Sequence, residues 1–340
     1  MSEAAPEIVV LTGFLGSGKT TLLREYLDTE AAAETAIIVN EAGEIGLDGA
    51  LLREAGGDVA MTMLSNGCVC CQATTDLTAT VEALLAAPRP DPDRPLRRIV
   101  LETSGLSKPG PILRQLAPLA AHRLRLAVVA TFDPTRPVAS AGFEEAAAQW
   151  AAAHRIVLTK ADSVAPAAFA AAAAEARAIN PFAEIVAEPD RRAAALRALA
   201  APPRPGTWPV PDDDGRLGAD AHPRISTLCL RQRGPIGADD LATWLDNLAG
   251  ALGDRLLRVK GLVRVEESTL PVLVQSVGTL FGALAPFRGQ PPAAGLFLVV
   301  IAFDLDRAEL AALTPTLRLE LPRSTGRPAS RARPLRAEAV

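Results

Sequence analysis

The sequence predicts an α/β fold: a phosphate-loop NTPase domain with a mostly parallel sheet, followed by a smaller C-terminal α+β domain of ferredoxin-like type. Three observations carry this. First, Gly13-Phe-Leu-Gly16-Ser-Gly18-Lys19-Thr20 meets the pattern G-x-x-x-x-G-K-[ST]; apolar Ile8-Val-Val-Leu11 precedes it and a helix-forming stretch runs from Thr21 to Leu27. That strand–loop–helix setting is what the pattern requires. Second, β-branched apolar runs alternate with Ala/Leu-rich stretches through the first two-thirds of the chain, the rhythm of a parallel sheet covered on both faces. Third, a stretch rich in Pro, Gly and Asp at 201–223 breaks the rhythm, and strand, helix, strand, strand follow it.

In chain order, strands are expected at 7–12, 36–40, 59–64, 97–102, 125–132, 155–159 and 183–187, each a short run of Val, Ile and Leu. Helices are expected near 19–29, 74–87, 110–120, 143–153 and 166–178, where Ala and Leu dominate. Past the linker, Ile225 to Leu230 reads as a strand and 238–252 as a helix. Strands follow near 255–265 and 271–278, and Leu296 to Phe303 closes the set. The expected domains are 1–200 for the phosphate-loop unit, 201–223 for the linker and 224–308 for the α+β unit. Residues 309–340 form an extension that is disordered from about 323, where Arg and Pro dominate.

Composition narrows the function. With 340 residues, 49% hydrophobic and 22% charged, the chain can bury two cores. A net charge of −4 provides no general attraction to nucleic acid or to an anionic membrane. The acidic start lacks the build of a signal peptide. The apolar run at 296–303 is too short to span a bilayer, so a cytoplasmic location is expected.

The nucleotide chemistry is spread over three segments. Gly13, Gly16 and Gly18 let the loop curl so that its N–H groups, and the dipole of the following helix, face phosphate oxygens. Lys19 reaches the β- and γ-phosphates and should lack a partner in the empty site; the Thr20 hydroxyl ligates Mg²⁺, and Ser17 and Thr21 complete the loop. In Arg98-Ile-Val-Leu-Glu102-Thr-Ser-Gly105, the strand-end Glu102 holds Mg²⁺ through water and Gly105 offers its N–H to the γ-phosphate. In Thr159-Lys160-Ala-Asp162, the carboxylate accepts from N1–H and the 2-amino group of guanine, while Lys160 lays its stem over the base. Guanine-binding proteins usually carry Asn where Thr159 stands, which loosens the expected selectivity. No catalytic Gln or arginine finger is visible, so intrinsic hydrolysis should be slow.

Three of the four cysteines, Cys68, Cys70 and Cys71, fall in Asn66-Gly-Cys-Val-Cys-Cys71. In a reducing compartment such a cluster reads as a metal or redox site. Thiolates suit Zn²⁺, Cu(I) or Co²⁺. A fourth ligand is available among the carboxylates of Asn40-Glu41-Ala-Gly-Glu44-Ile-Gly-Leu-Asp48. Cys68 and Cys71 also have the C-x-x-C spacing of a redox pair. Cys229 reads as a buried small hydrophobe, and His122 and His154 as solvated or core histidines.

Taken together, residues 13–21, 40–49, 66–71, 102–109 and 159–162 resemble the CobW-like metal-chaperone GTPases, relatives of the nickel-insertion GTPases of hydrogenase and urease. Asn180-Pro181 and Arg258-Val-Lys-Gly261 fit the same family. The resemblance implies a GTPase that binds GTP or GDP through residues 13–21, with Lys19 and Glu102 as catalytic groups. Gly105 senses the γ-phosphate, and Thr159, Lys160 and Asp162 contact guanine. Cys68, Cys70 and Cys71 bind the cargo metal with Glu41 and Glu44 in the switch segment. Zinc is the favoured cargo, with cobalt or another transition metal as the alternative. A client metalloenzyme, and a second copy of the chain in a homodimer, are the partners this admits. Three departures stand out: Ala42 in place of an aromatic, Thr159 in place of Asn, and no His-rich stretch, which argues for delivery over storage. A phosphate-loop kinase or ATPase, and a metal or redox sensor uncoupled from nucleotide, are the rival readings.

Overall fold

The computed structural model describes residues 6–40, 60–64, 74–88, 94–122, 124–136, 144–200, 208–209, 211, 217, 224–292, 295–314 and 317–322. In the first domain β1 (Glu7–Gly13) leads to α1 (Lys19–Leu27), β2 (Thr35–Asn40), β3 (Ala60–Leu64), α2 (Thr74–Ala86) and β4 (Arg98–Glu102). Then come α3 (Pro109–Leu116), β5 (Arg125–Phe132), α4 (Glu144–Ala152), β6 (Arg155–Leu158), α5 (Pro166–Ile179), β7 (Glu184–Val186) and α6 (Arg191–Ala198). The seven strands form one sheet in the order β3-β2-β4-β1-β5-β6-β7, with every pairing parallel.

Both faces of this sheet are buried, which is why its strands read as continuous apolar runs and not as alternating ones. Val9 and Leu11 of β1 pack with Leu22, Leu23 and Tyr26 of α1 and Ala195 and Ala198 of α6. Their neighbours Ile8 and Val10 face the other way, towards α2 to α5. Helix α6 is absent from the sequence expectation, because three arginines in RRAAALRA hide its apolar stripe. The small residues Ala194, Ala195 and Ala198 are that stripe, and Asp190 caps the helix by accepting from Ala193 N–H at 2.7 Å.

The second domain contains β8 (Ile225–Gln232), α7 (Ala238–Leu252), β9 (Leu256–Val263), β10 (Val272–Val277), β11 (Leu280–Phe281), β12 (Ala285–Pro286), β13 (Phe297–Phe303), α8 (Arg307–Ala312) and β14 (Leu319–Glu320). Its main path runs β11-β10-β9-β13-β8-β14. With β10 to β12 taken as an inserted antiparallel extension, β8-α7-β9-β13-α8-β14 is a βαββαβ unit in the order fourth, first, third, second, as in ferredoxin-like folds. The second helix of that unit crosses the expected boundary at 308 and the fourth strand lies beyond it. Leu310 is fully buried and β14 pairs with β8, so the sheet closes near 320. A six-residue helix and a two-residue strand are too short to show periodicity.

The two domains share a core. Along β13, Phe297, Val299, Ile301 and Phe303 pack towards the first domain, while Leu298, Val300 and Ala302 pack towards α7. The part of 201–223 that is described is packed too. Trp208 sets its ring edge-on to Phe182, Phe287 and Phe297, and Leu217 is buried.

A polar clamp completes the junction at the C-terminal end of α4, where a helix leaves carbonyls without internal partners. Asn180 Nδ2 donates to the carbonyls of Trp150, Ala151 and Ala153 at 2.8, 3.0 and 2.9 Å. Arg258 Nη1, from β9 of the second domain, donates to those of Ala151, Ala152 and Ala153 at 3.3, 2.7 and 3.1 Å. A cation suits the negative end of the helix dipole. Burial pulls the Arg258 guanidinium down to about 10, which leaves it charged at neutral pH. His154, next in the chain, is a core histidine as expected: Nδ1 accepts from Val128 N–H, and burial, then the charges of Arg258 and Lys260, keep it neutral.

Arg258→Met, which keeps the apolar stem, should lower the unfolding free energy by about 2–3 kcal/mol because buried carbonyls lose a charged donor. A urea titration reads this as a lower midpoint, and Arg258→Lys should recover only part of it, lacking the planar fork. An unchanged midpoint in Arg258→Met would remove the clamp from the account of domain docking.

Candidate nucleotide site

All strands of the first sheet point the same way, so the loops that follow them gather at one carboxyl edge, where ligands of open α/β sheets bind. The phosphate loop joins β1 to α1 at the middle of that edge. Gly13, Gly16 and Gly18 have φ values of +145°, +68° and +91°, a region that favours glycine. A Cβ on Gly13 would collide with Thr131 Oγ1 of β5 and stand 2.7 Å from Ser17 Oγ. The loop is tied down by hydroxyls: Ser17 Oγ lies 2.6 Å from Thr131 Oγ1, and Thr159 Oγ1 donates to the Ser17 carbonyl at 2.8 Å. Thr159 also reaches the Phe132 carbonyl at 3.1 Å, so the residue that departs from the usual Asn joins the phosphate loop to the base loop.

Lys19 Nζ donates to the carbonyls of Gly13 at 2.9 Å and Phe14 at 3.4 Å. This corrects the expectation that it lacks a partner in the empty site: an ammonium that is mostly buried must be hydrogen-bonded, and the loop's own carbonyls accept from it. Thr20 Oγ1 donates to Glu102 Oε1 at 2.6 Å. A hydroxyl and a carboxylate brought together beneath the phosphate cradle are the hard oxygen donors that Mg²⁺ takes, so these residues fit that ion.

Gly105 packs against the loop. A Cβ there would approach Leu15 N to 2.7 Å and Leu15 Cα to 2.8 Å, so only glycine allows the closeness. Its segment is held by Gln149 of α4, fully buried, whose Nε2 donates to the carbonyls of Gly105 and Ser107 at 3.0 Å each. The same helix sends Trp150 Nε1 to the Thr131 carbonyl at 3.2 Å and stacks its ring on Phe132.

Beside the phosphate loop lies a cavity of about 340 Å³ lined by Gly18, Thr21, Thr159, Lys160, Asp162 and Arg191, among others. Lys160 has a left-handed backbone (φ +50°) and its Nζ reaches Asp133 Oδ2 at 2.6 Å. Asp133 is buried; burial would raise its carboxyl, but hydrogen bonds from Lys160 and Thr135 outweigh this and hold it below its ordinary value. Asp162 is exposed, and Arg191 Nη2 donates to its Oδ2 at 2.7 Å, which lowers its pKa. Thus Gly13, Gly16, Ser17, Gly18, Lys19, Thr20, Thr21, Glu102, Gly105, Thr159, Lys160 and Asp162 all line one edge. Asp133, Gln149 and Arg191 join them without having been expected. Glu41, Glu44, Cys68, Cys70 and Cys71 lie outside the described residues. Among the described residues no group of three or more His, Cys, Asp or Glu could hold a metal ion.

The model of the CobW/HypB/UreG nucleotide-binding domain matches residues 7–187, and that of the cobalamin synthesis protein cobW C-terminal domain matches 225–314. The chain belongs to the CobW/HypB/UreG family. The zinc chaperone CobW of Pseudomonas aeruginosa is 30% identical to this family member over 89% of each chain. The zinc chaperone YjiA of Escherichia coli is 27% identical over 92% of this chain and 98% of its own. The crystal structure of the Zn(II)-bound YjiA GTPase from E. coli superposes with a TM-score of 0.62 at 22% identity, covering 93% of this chain and 99% of that one. It shows the same two-domain fold. Among the described residues of this CobW-type protein no helix is long and apolar enough to cross a membrane.

Two outcomes follow from the geometry. Lys19→Ala should abolish GTP binding or hydrolysis with the fold retained, because it removes the charge expected to meet the phosphates. Turnover near the parent rate would disqualify the loop. Asp162→Asn replaces an acceptor pair by a donor–acceptor pair and should cut the preference for GTP over XTP roughly tenfold in competition binding. An unaltered preference would place base recognition elsewhere.

Proposed function

We propose that this GTPase of the CobW/HypB/UreG family is a zinc metallochaperone. It binds zinc through Cys68, Cys70 and Cys71 in a GTP-dependent way and hands it to a client metalloenzyme. The observation that carries the reading is where two segments leave the sheet. β2 and β3 are neighbours, and their last residues, Asn40 and Leu64, are register partners. Glu41 and Glu44 follow the first and the cysteine motif follows the second, both from the carboxyl edge that holds the phosphate loop. β2 also pairs with β4, with Val39 beside Glu102. The segments that carry the carboxylates and the thiolates in sequence therefore follow adjacent strands, and the first of these strands, β2, pairs with the strand that ends in Glu102. The relatives named zinc chaperones support the choice of cargo.

In this proposal the nucleotide sites divide the labour. Gly13 to Thr21 hold the phosphates, Thr20 and Glu102 would hold Mg²⁺, and Thr159, Lys160 and Asp162 read guanine. Mg²⁺ would supply positive charge that offsets the negative charge of the phosphates. Gly105 senses the γ-phosphate, and the GTP state draws Glu41 and Glu44 towards the thiolates to complete the zinc site. Hydrolysis loosens that site and releases zinc to a client docked on the second domain. The proposed domain limits are about 1–200 and 224–322, and the proposed location is the cytoplasm.

The joint replacement of Cys68, Cys70 and Cys71 by Ser should abolish tight zinc binding in a chelator competition, because a protonated hydroxyl is a poor ligand. GTP binding should stay within about twofold of the parent, since the phosphate loop is untouched. Zinc affinity equal to that of the parent would end the assignment of these thiols.

A further inference from the structure

The turn that follows β5 brings to the phosphate loop a cation that belongs to none of the sequence motifs. It runs Asp133-Pro-Thr-Arg136 and is closed by its first side chain. Asp133 Oδ1 accepts from Thr135 N–H at 2.9 Å and from Thr135 Oγ1 at 2.6 Å, and Arg136 N–H donates to the Asp133 carbonyl at 3.1 Å. An aspartate that bonds the backbone two residues on fixes such a turn. Asp133 Oδ2, already bonded to Lys160, lies 4.0 Å from Arg136 Nε and steadies the base of the guanidinium.

The other end of that guanidinium rests on the phosphate loop. Arg136 Nη1 donates to the Leu15 carbonyl at 3.4 Å and stands 3.7 Å from the place of a Cβ on Gly16. Lys19 rests on the two preceding carbonyls, Gly13 and Phe14. Two cations therefore occupy three successive carbonyls of a loop built to hold phosphate. The Arg136 side chain is 62% exposed, so no packing role accounts for its placement. Leu15 is also the residue against which Gly105 packs, which puts the arginine tip beside the segment that senses the γ-phosphate.

We propose that Arg136 is a built-in arginine finger, a catalytic residue that places its guanidinium on the phosphate chain of bound GTP. The proposal rests on the GTPase reading and deepens it. In the reaction the water oxygen bonds to Pγ. The bond from Pγ to the bridging oxygen breaks with its electron pair left on GDP, and the water proton leaves with the inorganic phosphate. Arg136 exchanges no proton; its fixed charge lies opposite the negative charge that grows as the γ-phosphoryl group departs. Because Asp133 is shared by Lys160 and Arg136, the same carboxylate holds the base loop and the finger in one arrangement.

The test is turnover of GTP under saturating conditions by the full chain and by Arg136→Ala, with mantGDP affinity measured alongside. Arginine fingers contribute roughly 10³-fold or more, so the expected loss in kcat is at least about a hundredfold with GDP affinity within about twofold. Arg136→Lys should restore only part, having a charge but no fork. Free guanidinium should raise the rate of Arg136→Ala and leave the parent unaffected. GDP with aluminium fluoride, which mimics the transferring phosphoryl group, should bind the parent tightly and Arg136→Ala weakly. A parent that hydrolyses GTP while Arg136→Ala matches it in kcat and in aluminium fluoride affinity overturns the proposal. A parent that does not hydrolyse GTP at all overturns the GTPase reading as well.

Discussion

Close contact between the phosphate loop and the ends of β5 and β6 sets the geometry on which the rest of the molecule depends. Gly13 is pressed so near Thr131 that no side chain fits, and the Ser17 and Thr159 hydroxyls fasten the loop from within and from the base side. A loop held this way keeps its curl without phosphate, at the expense of placing backbone in a conformation that glycine alone adopts easily. With the curl fixed, α1 starts where Thr20 meets Glu102, and Leu15 stands where Gly105 can touch it. The Thr159 hydroxyl joins its own loop to the phosphate loop and to the end of β5 through the carbonyls of Ser17 and Phe132.

Helix α4 connects this edge to the second domain. Gln149 holds the Gly105 segment, Trp150 holds the end of β5, and the carbonyls of Ala151 to Ala153 are clamped by Arg258. A second link runs on the surface: Lys108 pairs with Glu144 at 3.5 Å, Glu144 with Arg224, and Arg224 with Asp304 at 2.6 Å. Exposed pairs of this kind contribute little stability, but they join the segment that follows β4 to the second sheet through a short chain of contacts. The apolar face of β13 makes the junction part of a common core. Gly105 is therefore joined to the second domain by packed elements and not by a loose tether, a spatial continuity on which coupling between sites can be tested.

Much of this was legible in the sequence because it depends on local pattern. The phosphate loop is contiguous, Glu102 ends a strand, Asp162 follows one by four residues, and the sheet strands are apolar on both faces. The groups that escaped are those that tertiary structure alone brings in. Asp133 meets Lys160 across 27 positions of chain, and Gln149 is one polar residue in an alanine-rich helix that nothing local distinguishes from a solvated one. Arg191 and Arg136 belong to no local motif, and only the fold sets one against Asp162 and the other against Leu15. The second domain was legible as strands and one helix, yet its end was not, because α8 and β14 are recognisable only through Leu310 and Leu319 in the core.

The central claim is that the nucleotide state and the zinc site are coupled. The direct measurement is zinc affinity against a competing chelator, first with GDP and then with a non-hydrolysable GTP analogue. Linkage requires that any gain in zinc affinity from GTP equal the gain in GTP affinity from zinc, typically about 5–150-fold. The account predicts tighter zinc binding in the GTP-analogue state and the reciprocal effect on nucleotide. Equal zinc affinities in the two states would contradict it, even with every thiol acting as a ligand.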